Sequence, residues 1–275
     1  MPAAHAFRQV DVFSSAPLLG NPVAVVHDAE GVTDEEMARF ARWTNLSETT
    51  YLLPPTDPAA DYRLRIWTPG GELPFAGHPT LGSAHAWLEA GGLPAGDDVV
   101  QECGAGLVRV RRTERLAFAA PPLIRSGPVD AADVTAACRA LSVTEGDVVS
   151  TEWIDNGPGW MGVLLADAAA VLALEPDWAA FGDLNIGVVG PYADGPFAAE
   201  LRAFCPGYGM PEDPVTGSLN AGVGQWLAGT RLPTSYVASQ GTALGRAGRV
   251  HVEMVDGQIW VGGDALTTIT GQVRL

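Results

Sequence analysis

Three ionisable side chains, Glu48, His78 and Asp213, are the residues best suited to acid–base chemistry in this sequence. His78 directly follows Gly77, at a turn that can open a helix, and Asp213 precedes a similar turn. The positive end of a helix dipole disfavours an imidazolium, which predicts a neutral His78 able to donate or accept a proton. Glu48 precedes a β-type run, Thr50–Leu53, and partial desolvation there would raise its pKa towards the useful range of a general base.

Each of these side chains also has a purely structural interpretation. His78 could cap a turn, and Asp213 or its neighbour Glu212 could cap the free N–H groups of a helix start. Asn45 and Glu48 have the spacing of a capping box, but the residues that follow show no helix pattern for them to cap. His85 lies about two helical turns beyond His78 in an apolar stretch, and we interpret it as a core histidine.

The stretch around His78 occurs twice in the chain. Glu72–Gly82 and Glu212–Gly222 are separated by 140 positions and share Glu, Pro and two Gly residues in register. Upstream, Arg65–Pro69 matches Arg202–Pro206, with three more residues in the second loop. The pattern indicates an internal duplication, and a length of 275 residues favours two similar halves.

Each copy is followed by a helix pattern that lacks a polar face. From Thr80 to Glu89 and from Ser218 to Leu227, small and apolar residues occur round most of the helix, which is typical of a buried helix. The predicted fold class is therefore α+β, with two pseudo-symmetric halves, each a mainly antiparallel sheet or barrel around a central buried helix. We predict a first half of residues 1–125 and a second half of residues 126–264. The strand in 265–275 could pair with the first half.

Shorter patterns predict the remaining elements. Thr33–Glu36 has capping-box spacing and predicts a helix that ends near Thr44. A second, Ala-rich helix is predicted over 131–141. The predicted strands are 9–13, 22–26, 50–53, 62–67, 99–102, 107–112, 116–119, 160–165, 184–189, 200–204, 236–239, 249–255, 258–261 and 266–269.

The two buried helices are predicted to begin at Gly77 and Gly217, with both starts facing one cleft between the halves. Free backbone N–H groups and the positive end of a helix form an anion site, and glycine permits close approach of a ligand. The predicted ligand is a small carboxylate-bearing substrate held by Gly77, Pro79, Thr80, Gly217 and Ser218. A plain helix-start turn is the structural alternative for either glycine.

Composition argues against several other classes of function. Acidic residues outnumber basic ones by 32 to 16, and the net charge of −16 repels nucleic acid and acidic membrane surfaces. The sequence shows no apolar run of membrane-spanning length and no secretory leader pattern. Its three widely spaced cysteines fit a reduced cytoplasm. Metal-ligand spacings and nucleotide-binding motifs are absent from the sequence, so neither a metal nor another cofactor is predicted.

Several stretches resemble the PhzF-like family, which is named for the phenazine-biosynthesis isomerase and has the diaminopimelate-epimerase-like fold. The similar stretches are Gly20–Val25, Asn45–Thr49, Glu72–Gly82, Glu212–Ser218, and Gln240-Gly241 followed by Gly245-Arg246. They occur in the expected order over most of the chain. The resemblance implies two mirrored domains with central helices, an active site between them, usually a homodimer, and proton transfer without a cofactor.

The resemblance also implies roles for individual residues. Glu48 matches the catalytic glutamate that takes a proton from one substrate carbon and helps to return one elsewhere. His78 and Asp213 match the other acid/base positions of the family. The backbone at Gly77 and Ser218 matches the cradle that binds the substrate carboxylate.

The expected function is that of a biosynthetic isomerase of a small carboxylate, similar to the dihydro-hydroxyanthranilate isomerase after which the family is named. Leu219-Asn220 stands where the phenazine branch carries Ala-His, so the substrate is left open. The alternatives are a non-catalytic small-acid binding protein on the same scaffold and an epimerase or lyase with another substrate. Two-thiol racemases of this fold need a cysteine at each helix start, where this chain has none.

Overall fold

The computed structural model describes residues 3–275, and the chain divides into two compact units. The first unit comprises Met1–Ala119 with Gly262–Leu275, and the second comprises Ala120–Val261. The C-terminal segment belongs to the first unit because its strand, Ala265–Arg274, pairs antiparallel with the first strand of the chain, Ala4–Val12.

The first unit is a mainly antiparallel sheet around one central helix. Its helices are α1 (Asp34–Thr44) and α2 (Gly77–Glu89), and its strands are β1 (Ala4–Val12), β2 (Asn21–Val26), β3 (Glu48–Leu53), β4 (Tyr62–Thr68), β5 (Gly71–Leu73), β6 (Val99–Cys103), β7 (Gly106–Arg112), β8 (Leu116–Ala119) and β18 (Ala265–Arg274). The central helix α2 contacts β1, β2, β3, β6, β8 and β18. In β4 every second residue is buried, as the alternation of its sequence predicts.

The second unit has the same kind of architecture. Its helices are α3 (Ala131–Leu141), α4 (Ala168–Leu172) and α5 (Gly217–Leu227), and its strands are β9 (Arg125–Gly127), β10 (Val148–Asp155), β11 (Trp160–Leu165), β12 (Asn185–Pro191), β13 (Ala199–Cys205), β14 (Met210–Asp213), β15 (Ser235–Gln240), β16 (Gly248–Val255) and β17 (Gln258–Gly263), which ends in the first unit. The central helix α5 contacts β10, β11 and β16.

The two units repeat one order of strand pairings. The first and second strands pair antiparallel (β1–β2 and β10–β11), and the second and third pair parallel across a connecting helix (β2–α1–β3 and β11–α4–β12). The third and fourth pair antiparallel (β3–β4 and β12–β13), and the fourth pairs parallel with the strand after the central helix (β4–β6 and β13–β15). The duplication inferred from the sequence is therefore present in the fold.

Both central helices begin at the predicted glycine and are buried almost all round. Close packing of α5 depends on Gly222, where a Cβ atom would lie 2.6 Å from the carbonyl oxygen of Ile154 on β10. Close packing of α2 depends in the same way on Gly82, where a Cβ would lie 2.4 Å from Val23 Cγ1. Within residues 3–275, no helix has both the length and the hydrophobicity needed to cross a membrane.

One ion pair stands at the same place in each copy and holds the short strand before the central helix. Arg65 donates twice to Glu72, at 2.6 Å each, and joins β4 to β5. Arg202 donates to both oxygens of Glu212, at 2.9 and 2.8 Å, and joins β13 to β14. Both pairs are bidentate, and they fix the chain just before each helix start.

Candidate active site

Glu48 is the first residue of β3, and the turn after α1 sets its position. The helix begins with a capping box at Thr33, as predicted, and ends at Asn45, which has a left-handed backbone with φ of 54°. Three residues later, Glu48 lies opposite Val23 of β2 in parallel register. The Glu48 side chain is 13% exposed, so the carboxyl group is largely buried but keeps some access to solvent.

His78 is the second residue of α2, and its ring lies against the Glu48 carboxyl group. The distance from His78 Nε2 to Glu48 Oε2 is 3.4 Å. On the other side of the ring, Nδ1 is 3.3 Å from the Nδ2 atom of Asn21, the first residue of β2. Asn21 is in turn held by Ser47, whose hydroxyl donates to Asn21 Oδ1 at 3.2 Å. Contacts from two other segments of the chain, at Asn21 and at Glu48, therefore fix the ring.

Burial keeps the His78 ring neutral. It lowers the pKa of His78 to about 3, although a hydrogen bond to the Pro22 carbonyl raises it in part. The predicted neutral state is confirmed, but burial rather than the helix dipole is its main cause. At 3.4 Å, His78 Nε2 and Glu48 Oε2 are in contact but do not form a hydrogen bond. A neutral imidazole has one donor and one acceptor nitrogen.

Asp213 is the last residue of β14 and is hydrogen-bonded to the residue that precedes α5. The Thr216 hydroxyl donates to Asp213 Oδ2 at 2.5 Å. The adjacent carboxylate, Glu212, is engaged by Arg202 in the buried ion pair. These neighbouring acids therefore have different partners, and Asp213 is the one beside the helix start.

At the start of each central helix, the N-cap residue, Ala76 or Thr216, makes no capping hydrogen bond through its own side chain. Gly77, Pro79 and Gly217 are buried at these starts. Acidic side chains are absent from both first turns among the described residues. This arrangement can accept an anion.

The two predicted binding residues with hydroxyl groups are held by internal hydrogen bonds. Thr80 donates to the Ala76 carbonyl at 2.9 Å and accepts from Gln101 at 3.0 Å, so its only hydroxyl proton stays within the helix turn. The Ser218 hydroxyl accepts from Trp160 Nε1 at 3.0 Å, which leaves its own proton to be donated elsewhere. The Thr80 backbone N–H also donates to the Ala76 carbonyl, at 3.2 Å.

The structure thus gives two groups of candidate residues, one in each unit. Glu48, His78, Gly77, Pro79 and Thr80 lie together in the first unit, and Asp213, Gly217 and Ser218 lie together in the second. Within residues 3–275, no cluster of three or more His, Cys, Asp or Glu side chains could hold a metal ion. Neither group is therefore assigned a metal.

Sequence reasoning did not identify three polar residues that support these groups. Asn21 contacts His78, Thr216 contacts Asp213, and Gln240 contacts Thr216. Asn21 and Gln240 lie within stretches that resemble the family, and Thr216 lies within the duplicated motif. These positions in the sequence could have indicated that the three residues matter, but their contacts form only in the folded chain.

The two repeated units, each with a buried helix at its centre, define a class, the two-half α+β proteins of the diaminopimelate-epimerase-like fold. The chain aligns with the Bacillus anthracis phenazine biosynthesis protein of the PhzF family at a TM-score of 0.82 and 22% identity, covering 99% of this chain and 100% of the other. The chain belongs to the phenazine biosynthesis-like (PhzC-PhzF) family, whose profile matches residues 10–271.

Relatives of similar length agree with this assignment. Antisense-enhancing sequence 1 of Schizosaccharomyces pombe is 36% identical over 292 residues, covering 98% of each chain. The trans-2,3-dihydro-3-hydroxyanthranilate isomerase of Pseudomonas aeruginosa is 35% identical over 252 residues, covering 90% of this chain and 89% of the relative. The predictions of family, fold class and enzyme class are confirmed, and this chain is a PhzF-family isomerase.

Proposed function

We propose that this isomerase moves a proton between two carbons of a small carboxylate-bearing metabolite, and that Glu48 removes and returns the proton. The observation that supports the proposal is the 3.4 Å contact between the Glu48 carboxyl group and the neutral His78 ring. A largely buried carboxyl group beside a neutral imidazole can take up and release a proton without creating a second buried charge.

His78 and Asp213 complete the proposed acid/base set. His78 exchanges a proton with Glu48 through the contact of its Nε2 atom. Asp213 carries a proton to or from the substrate, with one carboxyl oxygen accepting from Thr216. Both assignments follow the family resemblance, and the burial of the two residues supports them.

The proposed substrate binds through its carboxylate at the helix starts. Gly77, Pro79, Thr80, Gly217 and Ser218 are the assigned binding residues. The backbone N–H groups of Gly77, Gly217 and Ser218 are the proposed donors, since proline has no N–H and the Thr80 N–H donates to the Ala76 carbonyl. One relative is named for trans-2,3-dihydro-3-hydroxyanthranilate, a small acid of this class, which makes that compound the first to be tested.

The test is turnover of trans-2,3-dihydro-3-hydroxyanthranilate in deuterated water, followed by NMR. The wild-type enzyme is expected to form an isomer with deuterium on the carbon that receives the proton. Glu48→Gln should reduce the rate at least about 100-fold while the compound still binds, because the general base is lost. Glu114→Gln is the matched control, since the Glu114 side chain is 95% exposed and should leave the rate unchanged.

Other outcomes distinguish the alternatives. Near-wild-type turnover of Glu48→Gln would remove Glu48 from the mechanism. Binding without any deuterium incorporation would favour a small-acid binding protein. Deuterium exchange at a single carbon would favour an epimerase, and loss of water or ammonia from the compound would favour a lyase.

We further propose that the enzyme needs no cofactor, acts in the cytoplasm and forms a homodimer. The proposed proton transfers use side chains of the chain itself, and the three cysteines Cys103, Cys138 and Cys205 are all free thiols, which fits a reducing compartment. Sedimentation equilibrium of the purified protein tests the homodimer, and a monomer at micromolar concentration would contradict it.

A further inference from the structure

Gln240 lies at the end of β15 and makes four hydrogen bonds with its fully buried side chain. Its Oε1 atom accepts from the Thr216 backbone N–H at 3.0 Å and from Asn220 Nδ2 at 2.9 Å. Its Nε2 atom donates to the Asp213 carbonyl at 3.2 Å and to the Thr216 hydroxyl at 2.9 Å. The amide thus contacts both residues of the Thr216–Asp213 pair.

Backbone groups fix the direction of this network. A backbone N–H can only donate and a backbone carbonyl can only accept, so Thr216 N–H and the Asp213 carbonyl together decide which end of the Gln240 amide is the oxygen. The Nε2 end must therefore donate to the Thr216 hydroxyl. Since that hydroxyl accepts from Gln240, its own proton is available for Asp213 Oδ2, 2.5 Å away.

The first copy of the duplication shows which part of this network belongs to the scaffold. There the buried Gln101, on the strand after α2, donates to Thr80, which occupies the position equivalent to Asn220. The positions equivalent to Asp213 and Thr216 are Leu73 and Ala76, which carry no polar side chain. Both copies therefore have a buried glutamine that contacts the fourth residue of the central helix. Only in the second copy does this glutamine also connect, through the hydroxyl of a threonine, to a carboxyl group.

We propose that Gln240 and Thr216 are positioning residues for Asp213. Gln240 orients the Thr216 hydroxyl, and the hydroxyl holds Oδ2 of Asp213 as an acceptor, so that the other carboxyl oxygen carries the exchanged proton. The inference rests on the acid/base role proposed above for Asp213. A hydrogen bond that favours the ionised carboxyl group is also expected to lower the pH at which the group protonates.

Charged groups also lie on the elements around Asp213. On β13 and β14, Arg202 and Glu212 neutralise each other in their bidentate pair. The first turn of α5 carries no acidic residue, and the last turn no basic one, among the described residues. After β15, Arg246 packs near Gly241 and contributes a positive charge on that side.

A double-mutant cycle tests the proposal through activity on trans-2,3-dihydro-3-hydroxyanthranilate. Thr216→Val is expected to lower kcat about tenfold with little change in KM, because one hydrogen bond to a charged group is lost. Thr216→Ser keeps the hydroxyl and should stay within about twofold of the wild type. In an Asp213→Asn background, Thr216→Val should have almost no further effect. Additive losses in the double mutant would indicate a purely structural role and overturn the proposal.

A second measurement does not depend on the substrate. The carbon-13 signal of the Asp213 carboxyl group is titrated with pH in the wild type, Thr216→Val and Thr216→Ser. The titration midpoint is expected to rise by about one pH unit in Thr216→Val and to remain near the wild-type value in Thr216→Ser. Gln240→Met should shift the midpoint in the same direction.

The two measurements separate the inference from the proposed function. If the wild-type enzyme does not convert the compound, the proposed reaction fails and the carboxyl titration alone decides the role of Thr216. An unchanged midpoint in Thr216→Val overturns the inference, whatever the activity. If Gln240→Met does not fold, as judged by circular dichroism, the Thr216 variants still give the answer.

Discussion

Mild acid is expected to destabilise this protein through two buried histidines of the first unit. Burial lowers the pKa of His78 to about 3. Burial, together with the nearby charge of Arg8, lowers the pKa of His27 to about 4. In the unfolded chain both rings protonate near pH 6.5. Between those values the unfolded state binds more protons than the folded state, so stability must fall as the pH decreases.

The size of the effect follows from the shifts. Below pH 6.5, each such histidine costs about 1.4 kcal/mol of unfolding free energy per pH unit until its folded-state pKa is reached. At pH 5, His78 and His27 should therefore each have lowered the free energy of unfolding by about 2 kcal/mol relative to neutral pH. Most of that loss is expected between pH 6.5 and 5, where ordinary exposed carboxylates are still ionised.

Chemical denaturation at a series of pH values measures this effect. The wild-type unfolding free energy should fall by about 4 kcal/mol between pH 7 and pH 5. His78→Gln removes one titrating ring and should halve that dependence, even if the variant is less stable at pH 7. His27→Gln should halve it independently. If His78→Gln kept the full wild-type pH dependence, the ring would not be held neutral by burial, and the proposed sharing of a proton with Glu48 would lose its basis.

Two further predictions concern packing and charge in the duplicated scaffold. Glu212→Gln should lower the free energy of unfolding by about 3–5 kcal/mol, because it leaves the charge of Arg202 buried without its partner. Glu72→Gln should lower it by at most about 1 kcal/mol. The side chains of Arg65 and Glu72 are 21% and 38% exposed, whereas those of Arg202 and Glu212 are 7% and 6% exposed. Equal losses in urea denaturation would contradict this comparison. Gly222→Ala places a Cβ atom 2.6 Å from a backbone oxygen and should cost about 1–3 kcal/mol by overpacking, and an unchanged melting temperature would refute the close approach.

Local signals in the sequence predicted the elements whose boundaries are set by local interactions. The capping box at Thr33 begins α1, and the small-residue patterns starting at Gly77 and Gly217 form the two central helices. These boundaries depend on residues within one or two turns of each other. The predicted α3, 131–141, matches the observed bounds for the same reason.

Short elements and elements without a regular pattern were missed. The strands β5 and β14 are only three and four residues long, and they are held by the ion pairs with Arg65 and Arg202. The helix α4 has five residues, too few for a helical period to be recognised, and β10 has a mixed exposure pattern without alternation. His85, interpreted as a core residue, is only half-buried and lies 3.2 Å from Thr267 on β18.

The candidate site shows the same division between local and distant determinants. Residue type and motif led to the proposal of Glu48, His78 and Asp213. The partners that fix them could not, because Asn21 lies 57 positions from His78, and Gln240 lies 24 positions from Thr216. Buried polar contacts of this kind depend on strand register, which the sequence pattern does not specify for a single residue.

The duplication offers an internal way to separate chemistry from architecture. Both copies keep a bidentate Arg–Glu pair, a buried glutamine after the central helix and a glycine at the helix start, so these features serve the fold. The first copy alone pairs a Glu with a His, since the equivalent positions in the second copy are Asn185, the first residue of β12, and Ser218.

The second copy alone has the acid Asp213, since Leu73 is its equivalent. The copies share the features of the scaffold, and the proposed acid/base residues are among the positions at which they differ. If these differences were neutral drift, replacing each residue by its counterpart should leave turnover intact. The substitutions Glu48→Asn, His78→Ser and Asp213→Leu are each expected to abolish it instead, because a proton-transfer group has no substitute within its own copy.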